Sequence, residues 1–384
     1  MSSWELRGSI VALLLAAVLS GVSGCEKPRS QVAVFGVDAI PAHLSDWHLI
    51  EVVDGVLTPN TGVVPYDLNT GLFTDYAHKL RTVWMPAGTS AIYDKEQFEY
   101  PVGTILSKTF YYPKGGDGAV LRTDNFADDY APGRAGEALD MARVRLMETR
   151  LLVRREDGWQ ALPYVWNAAQ TEAVLEIAGE VSRLHLKAVG GETSAFNYVV
   201  PDANQCAGCH ADNFTGREIS PLGPRARHLN KRYPYRGGTE NQLVYWQKIG
   251  YLSGLPELDS LPSLASFSDA DLPLEERARA YLDINCGHCH NPAGAADTSG
   301  LMLNHSETDW RRLGLCKPPV AAGTGSGERL FAIVPGEPDS SILNFRVESA
   351  DPGAMMPELG RSLVHEEGAE LLRQWVAALP GTCL

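Results

Sequence analysis

The chain has no surplus of positive charge: 33 Lys and Arg stand against 47 Asp and Glu, a formal net charge of −14. This excludes nucleic acid, and adhesion to anionic lipid by charge, because both depend on clustered cations. An acidic surface suits a basic partner, or serves solubility alone. A run of apolar residues long enough to span a bilayer is missing near the start. The stretch from Ile10 to Leu19 is too short for that and reads as an export signal, although Glu5 offsets Arg7 in the segment before it. No βαβ unit accompanies the Cys-x-x-Cys pairs, which argues against a thioredoxin-like redox pair. Cysteine is sparse, with seven in 384 residues, and each has an assignable use.

Four of the seven lie in two copies of Cys-x-x-Cys-His, Cys206-Ala207-Gly208-Cys209-His210 and Cys286-Gly287-His288-Cys289-His290. This is the sequence to which a c-type haem is attached: the Cys pair holds the porphyrin through two thioethers and the adjacent His ligates the iron. Two covalent haems are therefore expected. The competing reading is a zinc site built from both motifs, which uses four Cys and leaves each following His unexplained.

Cys25 ends Val22-Ser23-Gly24-Cys25, directly after the apolar run. It looks like the acylated Cys of a bacterial lipoprotein, with an ordinary signal peptide as the alternative. Export fits covalent haem, which bacteria attach outside the inner membrane. Cys316 and Cys383 are left over, and in an oxidising compartment they are expected to pair; two buried free thiols are the alternative.

The organisation expected is a leader over residues 1–24, a tether over 25–60, a β-rich domain over 61–200, a first haem segment over 201–255, a linker over 256–273 and a haem domain over 274–384. In fold class this is a multidomain chain: a mainly-β, sandwich-like domain followed by α-helical cytochrome c haem domains. Strand signals are strongest at Gly103–Tyr112 and in the pair Glu148–Arg155 and Trp159–Trp166, joined by Asp157-Gly158; a polar loop runs from Lys114 to about Glu137. Helical spacing is found from about Glu240 to Ile249, from Leu274 to Asn285, and from Val364 to Leu379. Gly368 inside the last of these suggests a close helix crossing, near Ala278.

Met355-Met356-Pro357 follows the second motif at the distance where small monohaem cytochromes place a distal ligand, and Met356, beside the Pro, is the expected ligand of the second iron. Core packing is the alternative for this Met pair. No Met occurs between His210 and His290, and His228 leads the candidates for the first iron. Met85, His78, His185, Met302 and an open sixth position remain alongside it. Arg225 and Arg227 are either propionate partners or a solvated basic loop.

Several segments then carry a resemblance: Val64-Pro65-Tyr66-Asp67-Leu68-Asn69-Thr70, Leu72-Phe73-Thr74-Asp75-Tyr76, Pro101-Val102-Gly103-Thr104, Lys108-Thr109-Phe110, Glu148-Thr149-Arg150-Leu151, Leu162-Pro163-Tyr164-Val165-Trp166-Asn167, both haem motifs, and Met355-Met356-Pro357-Glu358-Leu359-Gly360-Arg361. Over most of its length the chain resembles a group of bacterial dihaem c-type cytochromes often encoded near a parallel β-helix repeat protein. Its C-terminal part resembles a class I cytochrome c domain. The resemblance implies an exported electron carrier with two covalent haems and Met356 as a ligand. It implies no substrate and no sixth ligand for the first haem.

The expected function is electron transfer by a lipid-anchored protein on the periplasmic face of a bacterial membrane, the outer one by preference. One rival is a peroxidase-like enzyme with an open first haem. Another is a binding module in which the β domain does the work and the haems relay electrons.

Overall fold

The strands from Val144 to Arg155 and from Gly158 to Trp166 form the longest hairpin, with Glu148 opposite Val165 and Arg155 opposite Gly158. The turn is Glu156-Asp157. Gly158, at φ +144°, opens the second strand in a conformation that other residues rarely adopt. In this computed structural model, which describes residues 30–123, 136–188, 190–211, 218–320 and 323–383, the hairpin is the centre of a six-stranded antiparallel sheet. In spatial order the strands are 173–175, 158–166, 144–155, 105–113, 78–84 and 64–66. Cys25 and the segment expected to be an export signal lie outside the described residues.

Alternation sends Leu80, Ile105, Tyr111, Leu151, Val153 and Tyr164 to one face of this sheet. The cover on that face comes from the segment expected to be a tether. Leu44, Trp47, Leu49 and Leu57 are buried there, and the Trp47 indole donates to the Tyr164 hydroxyl at 2.7 Å. The opposite face is covered in two halves. Phe110 and Tyr112 pack against a three-stranded sheet through Leu184, Leu186, Phe196 and Tyr198. Val64, Val83, Met85 and Leu106 pack against Leu229, Tyr233, Leu243, Trp246 and Leu252.

These contacts overturn the expected fold class of a β domain followed by separate α-helical cytochrome c haem domains. Gln31–Leu384 form one unit, and the described residues are mostly β, with 17 strands in five sheets. Six α-helices accompany them: α1 (Ala203–His210), α2 (Ala226–Leu229), α3 (Gln242–Lys248), α4 (Leu274–Asn285), α5 (Ile342–Glu348) and α6 (Glu366–Ala378). The reason is local. Between α2 and α3 the aromatic residues Tyr233 and Tyr235 enter a hairpin, 232–235 with 238–241, whose last residue Asn241 caps α3 by accepting from the Leu243 amide at 3.0 Å. The strand at 252–253 runs parallel to Ala91–Asp94, so the expected first haem segment is woven into the β structure. Beyond α4 the chain turns repeatedly, with 3-10 helices at 297–299, 323–326 and 338–340. The expected linker is fastened as well: Asn69 and Thr70 donate to the Leu264 and Ala265 carbonyls, at 2.6 and 2.8 Å.

Both long helices follow the apolar spacing of the sequence. α4 and α6 pack together through Ala278, Tyr281, Leu282, Leu371, Leu372 and Trp375. A Cβ on Gly368 would enter the Tyr281 ring, so Tyr281, and not Ala278, sets the close approach. Gly368→Ala is expected to cost about 1–2 kcal/mol: overpacking of roughly 2–3 kcal/mol, the upper part of the usual range because a rigid ring stands in the way, less a helix-propensity gain of about 1. Thermal unfolding checks this, and an unchanged or higher midpoint contradicts the crossing.

Cys316 and Cys383 are joined at an S–S distance of 2.08 Å and tie the chain end to a loop across a separation of 67 residues. A closed loop of that size restricts the unfolded chain by about 4 kcal/mol in the chain-entropy account. No described helix is long and apolar enough to cross a membrane.

Candidate functional site

α4 delivers the second motif. Glu275 and Glu276 sit in its first turn, where the helix dipole favours negative charge, and its last residue runs into Cys286. The His290 amide then donates to the Cys286 carbonyl at 2.9 Å, which folds the motif into a single turn. On the His290 ring, Nδ1 lies 3.2 Å from Ser299 Oγ. That hydroxyl donates its own proton to the Ala296 carbonyl at 2.6 Å, so toward the ring it can only accept. Nδ1 therefore carries the proton and Nε2 keeps its lone pair.

The first motif is the body of α1. Asp202 caps that helix, accepting from the Asn204 and Gln205 amides at 2.8 and 2.9 Å, and Gln205 returns a bond to the Asp202 amide. His210 Nδ1 lies 2.8 Å from the Ser220 carbonyl, an acceptor only. Its ring is fixed in the same tautomer as that of His290. Burial holds both imidazoles down at about 4, with the Lys108 charge adding to the effect on His210 and His288 to that on His290. Near neutral pH both are uncharged electron-pair donors, the form that binds a metal.

A cavity of about 400 Å³ joins these elements. It is lined by Cys286, Cys289, His290 and Met356, and also by Gly208 and Cys209 of the first motif. Leu303, Leu313, Ile333, Ile342, Val347 and Leu359 give it apolar walls, with Lys317 and Arg346 also in its lining. Its size is that of a small-molecule or cofactor site. The two motifs touch: Cys289 Sγ lies 3.9 Å from the Gly208 carbonyl.

Met356 lines this cavity, whereas Met355 is buried and does not. The loop that carries Met356 is clamped by Arg361, which is 7 % exposed. Its guanidinium donates to the carbonyls of Met356, Arg346, Ser349 and Leu363 at 2.8 to 3.2 Å. Arg361 stands in a motif that the sequence singles out, but nothing in its spacing assigns it this positioning role.

His228 is placed elsewhere. It is 4 % exposed, its Nε2 lies 3.1 Å from Asp283 Oδ2 on α4, and it does not line the cavity. Arg227 holds the same carboxylate at 3.1 Å and Glu96 at 3.0 Å. Burial would raise the Asp283 carboxyl, but the His228 hydrogen bond and the Arg227 charge outweigh it and hold it far below its usual range. Through Nε2, His228 ties the segment after α1 to α4, while its Nδ1 is buried without a hydrogen-bond partner, and Arg227 is a buried structural cation. Among the other candidates, Met85 and Met302 are buried, His78 Nε2 lies 2.8 Å from the Thr123 carbonyl, and His185 is exposed on strand 180–187.

None of Cys206, Cys209, Cys286 and Cys289 forms a disulfide, and each is half-buried. Among the described residues one set brings three ligand atoms within 4.8 Å of one another: Cys209, His288 and Cys289. The hydrogen bond between the two thiols pulls Cys209 down and pushes Cys289 up. His288 Nδ1 is buried without a hydrogen-bond partner.

The donor set fits c-type haem. Each motif offers two half-buried thiols and a neutral imidazole in the tautomer a metal requires, and the second opens into an apolar cavity. No family model, no curated protein and no solved structure matches the chain.

Proposed function

We propose that this chain is an exported electron-transfer protein carrying two covalently attached c-type haems. The observation that carries the reading is the shared state of His210 and His290: each Nδ1 is tied to an acceptor, leaving Nε2 as donor beside a Cys pair. In this reading Cys206 and Cys209, and Cys286 and Cys289, are the thioether positions, and His210 and His290 are the proximal ligands. The haems, when bound, supply one-electron ferric–ferrous couples.

The remaining residues tune and protect the sites. Met356 offers a thioether to the second iron, a ligand that favours the ferrous state and raises the potential. Arg361 keeps the Met356 loop in place, and the leucine and isoleucine walls exclude water. Cys25 anchors the protein by lipid at the periplasmic face of a membrane, and an acidic chain of net charge −14 suits a basic redox partner.

One observation favours a second reading. The Cys209, His288 and Cys289 atoms could hold a zinc ion, provided that those two thiols are unmodified. Redox titration of the exported protein, followed by visible absorption, separates the two. Two one-electron waves are expected; a colourless chain that binds one zinc and has four reactive thiols contradicts the haem reading.

A further inference from the structure

The sheet face beside α1 carries a row of cations that the haem ligands leave unexplained. Arg81, Lys108 and Arg150 stand directly opposite one another on three adjacent strands, with Arg81 paired to Lys108 and Lys108 to Arg150. Like charges in register across a sheet destabilise it unless something neutralises them. Lys79, paired with Phe110, adds a fourth cation on the same face. Lys79 Nζ, Lys108 Nζ and the Arg150 guanidinium all lie around the buried Phe110 ring, at 5.7, 5.3 and 4.5 Å from its centre.

The carboxylates nearby are already engaged. Glu148 takes a bidentate pair from Arg150 at 2.6 and 2.7 Å and a bond from the Tyr198 hydroxyl at 2.8 Å. Asp67 is shared between Arg81 at 3.2 Å and Lys231 at 2.9 Å. Lys79 Nζ donates to the Leu72 carbonyl at 2.9 Å. Lys108, half-buried in the middle of the row, has no carboxylate within ion-pair distance among the described residues.

The row lies next to the first motif. α1 packs on strand 158–166, the neighbour of the strand that bears Arg150. The Lys108 charge is felt by Cys209 and His210, and the Arg150 charge by Cys206 and His210.

We propose that the Arg81–Lys108–Arg150 row is a carboxylate-binding site whose occupants are the propionates of the haem held by Cys206, Cys209 and His210. The assignment rests on the haem reading above, and Lys108 is its central contact. A propionate there neutralises the row, and the row offsets the propionate charge near the iron. Arg150 can form a fork–fork pair only by sharing itself with Glu148; Lys108, which burial beside two guanidiniums holds down at about 7, is the uncommitted cation that a carboxylate laid against it would keep protonated.

The test compares wild type, Lys108→Gln and Lys108→Arg as the exported, haem-loaded protein, by redox titration and by calorimetric titration with succinate as a free dicarboxylate. The expected result is that Lys108→Gln lowers one of the two potentials, the one that Met356→Ala leaves alone, while Lys108→Arg restores it and succinate binds to none of the three. Two haems with both potentials unmoved in Lys108→Gln overturn the proposal. Succinate binding to wild type and lost in Lys108→Gln, with potentials unmoved, overturns it in favour of a free carboxylate ligand. Should the wild type contain no haem, the underlying reading fails separately. In that case succinate binding that requires Lys108 still supports a carboxylate site, and its absence removes the site altogether.

Discussion

A chain carrying Cys286→Ser and Cys289→Ser is expected to mature with one haem in place of two, halving the haem absorbance per polypeptide. The loss falls on the second site because both thiols line its cavity beside His290 and Met356. The first motif has supports of its own, the Asp202 cap and the Ser220 carbonyl, beside its contact with Cys289. Serine keeps size and polarity close to cysteine, so the cavity walls stand. The pyridine haemochrome spectrum measures the ratio directly. An unchanged haem content places the attachment elsewhere, and loss of both haems shows that the touching motifs assemble as one unit.

Met356→Ala is expected to leave both haems attached and to lower one potential by on the order of 0.1 V, a fraction of the roughly 0.8 V range that axial ligation spans. It removes the soft thioether that stabilises ferrous iron, and with it the weak near-infrared absorption of His/Met ferric haem. Met355→Ala is expected to do neither and to destabilise the fold by about 2–5 kcal/mol, because Met355 is packed away from the cavity at 8 % exposure. Spectroelectrochemistry of the two variants side by side decides. The reverse pattern moves the ligand to Met355.

What could be seen in the sequence was local. α4 and α6 follow from apolar residues at helical spacing, and the hairpin at 144–166 from alternation across a short polar turn. The candidate site was legible where its parts adjoin in sequence, as in Cys286 to His290. Its supporting bonds were not. Ser299 and Ser220 carry no signal in their neighbourhoods, though each fixes the ring of a motif His.

Fold class failed for a related reason. Trp47 lies in a segment without periodicity, and only its pairing with Tyr164, 117 residues on, makes that segment core. His228 stands in a basic stretch with no acidic neighbour in sequence, and it is Asp283, 55 residues away on α4, that holds its Nε2 in the interior. Arg81, Lys108 and Arg150 are unremarkable one by one. They become a row only when three strands are in register.

The claim on which the rest depends is that both Cys-x-x-Cys-His motifs carry covalent haem. Peptide mass spectrometry of the exported protein, after extraction in acid acetone to strip non-covalent haem, tests it most directly. The peptide containing Cys206 and Cys209 and the peptide containing Cys286 and Cys289 are each expected to carry the mass of one haem. Either peptide recovered with two free thiols contradicts the two-haem account.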